Sequence, residues 1–150
     1  MFDRILIAAD GSKNSKKAAK AGIELARLSG GSVIIVYVAD VSKCISSAGL
    51  APPFGGISSD VIDDIEANLK DIGEKVTIEV EELAKASGVK GERLVVDGNP
   101  PNEILLIAED KKMDLIVIGS IGKTGLEKFL MGSVAEKVVH NSKLPVLVVR

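Results

Sequence analysis

The stretch 115-LIVIGSIGKTGLEKFLMGS-133 decides how this chain is built. Leu115-Ile116-Val117-Ile118 is an unbroken apolar run that stops at Gly119. Runs without a polar alternate face suit strands covered on both sides. Gly122 and Gly132 follow, and Ser133 comes directly after Gly132. Glycine leaves no Cβ between backbone N–H groups and whatever approaches them. A glycine-bearing loop that leaves a buried strand and enters a helix at Gly132-Ser133 is a way to cradle phosphate.

Outward from this stretch, apolar runs alternate with helical patterns. Arg4–Ala9 reads as a buried strand. Asn14–Ser29 reads as a helix with Ala18, Ala21, Leu25 and Leu28 at spacings of three and four, stopped by Gly30-Gly31. Val33–Val38 is a second strand. Ala39–Ser59 reads as irregular, because Ser46-Ser47, Gly49, Pro52-Pro53 and Gly55-Gly56 are turn and breaker signals. Ser59 is the expected N-cap of a long helix carrying Ile62, Ile65, Leu69, Ile72, Val76, Val80 and Leu83 on one face. Gly73 within it costs about 1 kcal/mol relative to alanine and predicts a weak point there. Gly88 ends the pattern, and Leu94-Val95-Val96 is a short third strand. Asn99-Pro100 reads as an N-cap followed by proline at the first helical position. Leu115–Ile118, the helix Ser133–Asn141 and the strand Val146–Val149 complete the chain. Strands separated by helices predict an α/β fold with a parallel sheet covered on both faces. Ligands in such sheets bind beyond the carboxyl ends of the strands, where the strand order switches.

With 150 residues the chain is expected to form one domain spanning 1–150. A chain of this size buries about 68–70% of its unfolded surface and needs no disulfide or metal staple. The formal charge of −2 and the scarcity of aromatic residues argue against a nucleic-acid surface. No apolar run reaches the roughly 18 residues of a membrane span, and the Asp3-Arg4 start does not read as a secretory signal. The lone Cys44 has no intrachain disulfide partner, so a cytoplasmic location is expected.

The spacing G-x2-G-x9-G-S at Gly119, Gly122, Gly132 and Ser133 resembles the nucleotide-binding signature of the universal stress protein family. The resemblance extends through FDRILIAADGS at 2–12, Val36-Tyr37-Val38, DGNPPNEI at 97–104 and SVAEKVVHNSKLPVLVVR at 133–150. It implies an open five-stranded parallel sheet of order 3-2-1-4-5, Rossmann-like and of the adenine-nucleotide alpha-hydrolase-like kind. It also implies bound ATP accompanied by a divalent cation, Mg²⁺, and a homodimer paired through Val146–Val149. The resemblance assigns Asp10 to ribose hydroxyls, Val38 to adenine through its backbone, Gly119 to ribose, and Gly122, Gly132 and Ser133 to the phosphates. Each position also has a plainer reading. Asp10-Gly11 suits a turn, Val38 suits a sheet interior, the glycines suit turns, and Ser133 suits an N-cap.

Gly122-Lys123-Thr124 is not the end of a Walker A loop, because that motif requires glycine at position 117, which is Val117. Lys123 reaches either a phosphate or solvent. Ile121 stands where the family often has histidine, at a variable position of the motif. No catalytic constellation is visible, and one histidine with one cysteine offers no zinc cluster. His140 suits the negative end of its helix. Arg4, Arg27, Arg93 and Arg150 are all expected to lie away from the glycine loop, so slow hydrolysis is the most that an ATPase or phosphotransferase reading allows. A nucleotide-free interaction module is the remaining alternative.

Overall fold

The computed structural model describes residues 1–49, 56–121 and 131–150. Strand β1 (Arg4–Ala8) leads to helix α1 (Lys13–Ser29), β2 (Ser32–Ala39) and a short α2 (Val41–Ser47). The long α3 (Ser59–Ala86) precedes β3 (Lys90–Asp97), α4 (Pro100–Asp110) and β4 (Leu115–Gly119). Helix α5 (Ser133–Asn141) and β5 (Val146–Val149) follow. All four strand pairings are parallel, and the sheet order is β3-β2-β1-β4-β5, as the family resemblance implies.

Both faces of the sheet are covered, which explains the continuous apolar runs. Ile5, Ile7, Val33, Ile35 and Val117 pack with Ala18, Ile23 and Val80 from α1 and α3. Leu6, Ile34, Val36 and Ile116 pack on the other face with Ile104, Ala108 and Val138 from α4 and α5. At the amino ends of the strands, Asp114 Oδ2 accepts the N–H groups of Asp3 (2.9 Å) and Arg4 (3.1 Å), fastening the start of β1 to β4. Arg93 on the outer strand β3 reaches Glu74 (2.7 Å) and Glu81 (2.9 Å) on α3, tying that helix over the sheet edge.

Three expectations are corrected. The irregular segment Ala39–Ser59 contains α2, because Asp40 Oδ1 accepts the N–H of Lys43 at 2.9 Å and nucleates a turn before the breakers begin. Ser58, not Ser59, caps α3, its Oγ accepting the N–H of Val61. Finally, α3 runs unbroken through Gly73. The residue is buried against β2 and β3, where a Cβ would lie 2.5 Å from Tyr37 Cδ1 and 2.8 Å from Val95 Cγ1. Close packing of helix on sheet decides this position and overrides the local helix preference.

Gly73→Ala is therefore expected to destabilise the protein although alanine is the better helix former. Overpacking of about 1–3 kcal/mol outweighs a propensity gain of about 1 kcal/mol. Chemical denaturation measures the difference. A rise in stability would show that the Tyr37 ring yields freely.

Candidate functional site

The central strand β1 lies between β2 and β4, and the chain order reverses there. The register pairs Ala8 with Val36 on one side and Ile7 with Val117 on the other. The carboxyl ends of β2, β1 and β4 thus bring Val38, Asp10 and Gly119 to one rim of the sheet.

Asp10 belongs to a closed set of local bonds. Its Oδ1 accepts the N–H of Ser12 at 2.8 Å. Ser12 Oγ caps α1 by accepting the N–H of Ser15 at 3.1 Å. Ser15 Oγ in turn accepts the N–H of Asp10 at 3.0 Å. Gly11 turns the chain between them at φ 81°, a left-handed conformation that suits glycine. The turn reading of Asp10 is therefore correct. It uses one carboxylate oxygen, and among the described residues Oδ2 has no hydrogen-bond partner. Ser12 and Ser15 are not singled out by the sequence reading, although a serine just before a helical pattern is an N-cap signal.

Val38 presents its backbone to this rim. Val36 C=O accepts the N–H of Ala9 on the β1 side at 2.8 Å, whereas Ala39 C=O accepts the N–H of Gly98 beyond β3 at 3.1 Å. Backbone groups alternate sides along a strand. The Val38 N–H and C=O therefore face the β1 side at a point beyond the end of that strand's pairing. A donor and an acceptor so placed can read the edge of a planar heterocycle. The neighbouring Tyr37 points to the opposite face and is buried. Burial pushes its phenol above the usual range, and the Asp10 carboxylate and Cys44 add smaller effects in the same direction.

Gly119 has a packing requirement of its own. A Cβ there would lie 2.9 Å from both Asn14 C and Ser15 N. Its absence lets the first turn of α1 meet the end of β4. Ser120 then accepts the N–H of Gly132 at 2.6 Å, closing the base of the connection to α5. Gly132 is the N-cap of α5 at φ −63° and ψ 155°, with no side-chain cap bond. The N–H groups of Ser133, Val134 and Ala135 are left without acceptors inside the helix. They point outward at its positive end, a setting that favours an anion. Ser133 is the first helical residue rather than the cap.

Gly122 and Lys123 lie outside the described residues. His140 is exposed in the last turn of α5, and Cys44 is half-buried on α2. No group of three metal-ligating side chains gathers among the described residues, and no helix among them is long and apolar enough to cross a membrane. The remoteness expected of the arginines fails at Arg150. Val149 C=O accepts the N–H of Ser120 at 2.8 Å, so parallel pairing brings the following residue's backbone to the same rim.

The model of the universal stress protein family matches residues 1–150. Universal stress protein MJ0531 of Methanocaldococcus jannaschii is 40% identical, covering 100% of this chain and 83% of that protein. The solved structure of MJ0577 from the same organism superposes with a TM-score of 0.83 at 31% identity, covering 99% of this chain and 96% of the other. The fold is also shared with a universal stress protein from Archaeoglobus fulgidus in complex with dAMP (TM-score 0.65, 23% identity, 100% and 98% covered). Another universal stress protein, solved in complex with cAMP, has it too (TM-score 0.67, 24% identity, 99% and 97% covered).

Tyr37 is the sole tyrosine and the chain has no tryptophan, so absorbance at 295 nm isolates its phenol. The native midpoint is expected above the ordinary value of about 10, with denaturant restoring that value. Asp10→Asn should lower the native midpoint by removing a negative neighbour. The folded pKa is raised, so the stability contribution is complete below the unfolded pKa. It is lost as pH rises from there through the folded pKa, because the unfolded state releases its proton first. An unshifted native midpoint would contradict the buried placement.

Proposed function

Because the chain belongs to the universal stress protein family, we propose that it binds ATP with a divalent cation, most simply Mg²⁺, and acts as a nucleotide-dependent regulatory switch in the cytoplasm. The observation that carries the reading is one convergence. The backbone edge of Val38, the Asp10 carboxylate and the N-terminus of α5, which has no side-chain cap, share the rim where the strand order reverses. Adenine would meet the Val38 backbone, and ribose hydroxyls would donate to Asp10 Oδ2 beside Gly119. The phosphates would lie against the N–H groups that follow Gly132, with the Ser133 hydroxyl as an added donor. Gly122 keeps its proposed phosphate contact from the signature alone. The Gly132 N–H is engaged by Ser120, so its proposed contribution is the absence of a side chain beside the first N–H groups of α5. The magnesium ion would offset phosphate charge, with most of its ligands from the nucleotide and water.

The reading includes a homodimer. Strand β5 is the last of the sheet and pairs with β4 on one side. Its residues are half-buried and apolar, and such an edge invites a second strand. The carbonyls of Pro145 and Val149 serve the β4 side, so the backbone groups of Val146 and Val148 face outward.

Calorimetric titration with ATP and Mg²⁺ tests the nucleotide site. The wild-type chain is expected to bind, and Gly132→Val to lose at least about 30-fold in affinity, the equivalent of one or two charge-assisted hydrogen bonds. The backbone angles of Gly132 are accessible to valine, so this variant should fold. Equal affinity in the folded variant would refute the phosphate assignment, and absence of wild-type binding would favour the interaction-module reading.

Sedimentation at micromolar concentration tests assembly. A dimer is expected for the wild-type chain and a monomer for Val148→Pro, which removes an outward N–H without touching the β4 ladder. A wild-type monomer would contradict the pairing.

A further inference from the structure

We infer that Asn14 and Ser120 form the junction that positions the N-terminus of α5 for phosphate; the inference rests on the nucleotide reading above. Ser120 is only 5% exposed and ties three elements together. Its N–H donates to Val149 C=O at the end of β5 (2.8 Å), and its C=O accepts the Gly132 N–H at the start of α5 (2.6 Å). Its Oγ accepts Asn14 Nδ2 from the first turn of α1 at 3.4 Å. A buried hydroxyl restricts its surroundings through the partners it requires.

Asn14 is itself held from two directions. Gly119 has no Cβ to push away the Asn14 carbonyl carbon, which a Cβ would approach to 2.9 Å. The next residue, Ser15, is fastened to Ser12 and Asp10 by its backbone and side chain. The carboxamide of Asn14 therefore extends from a fixed turn to the one residue whose carbonyl holds the cap of α5. Through this bond the Asp10 side of the rim and the α5 side keep a constant separation. A ligand that spans both requires that separation, whereas a ligand held at Val38, Asp10 and Gly119 alone does not reach the α5 side. The bonds that hold Asp10 do not involve the Asn14 side chain. Asn14 is thus a positioning residue that acts through Ser120, with no contact to the ligand of its own.

The test is a double-mutant cycle read with two ligands, ATP with Mg²⁺ and adenosine. Asn14→Ala and Ser120→Ala should each weaken ATP about fivefold, the ordinary worth of one hydrogen bond. Adenosine affinity should stay unchanged in both, which also shows that the variants are folded. The double variant should lose no more than either single one, because both substitutions remove the same bond. Losses that multiply would mean that Asn14 meets the ligand directly and would overturn the inference. Equal losses for ATP and adenosine, or no loss of ATP affinity, would also overturn it. A wild-type chain that binds neither ligand would instead remove the nucleotide reading on which the inference stands.

Discussion

The pairing of β1 with β4 is the contact on which the site depends. Ile5, Leu6 and Ile7 lie in register with Leu115, Ile116 and Val117, joining parts of the chain far apart in sequence. It makes β1 a central strand with β2 on its other side, so the crossovers on its two sides run in opposite directions. The gap left at the carboxyl ends is a consequence of that arrangement. Strand pairing with complete burial on both faces gives the gap a rigid floor, since Ile5, Ile7, Ile116 and Val117 are fully buried.

On that floor the site is assembled mainly from backbone. Val38 offers main-chain groups, α5 offers the first N–H groups of a helix, and Gly119 offers the absence of a side chain. Asp10 is the one charged group among the described site residues, and a local ring of bonds with Ser12 and Ser15 sets its orientation. Main-chain donors fixed by secondary structure do not lose side-chain entropy when a ligand arrives.

Much of the architecture was legible because hydrophobic patterning records burial. The apolar runs of β1, β2 and β4 marked a sheet covered on both faces, and Asn99-Pro100 marked the start of α4. The bounds of α5 and β5 were read as they stand. Strand order came from family resemblance, since pairing partners leave little trace in one sequence. Gly73 was misjudged because its requirement comes from Tyr37 and Val95 across the interface rather than from its own helix. Helix α2 was missed because one capping aspartate, Asp40, preceded a long series of breakers. In the site, Asp10 and the glycines were visible as types. The roles of Asn14, Ser15 and Ser120 were not, because they arise from contacts between distant segments or from ordinary serines and an asparagine that could equally be solvated.

The claim that the carboxyl rim of the sheet receives an adenine nucleotide is tested most directly by following backbone amide resonances during titration with ATP and Mg²⁺. The account predicts saturable shifts at Asp10, Val38, Gly119 and Ser133 to Ala135. Amides at the opposite rim, including Asp3, Gly31 and Asp114, should remain still. Shifts confined to that opposite rim, or no shifts at saturating nucleotide, would contradict it.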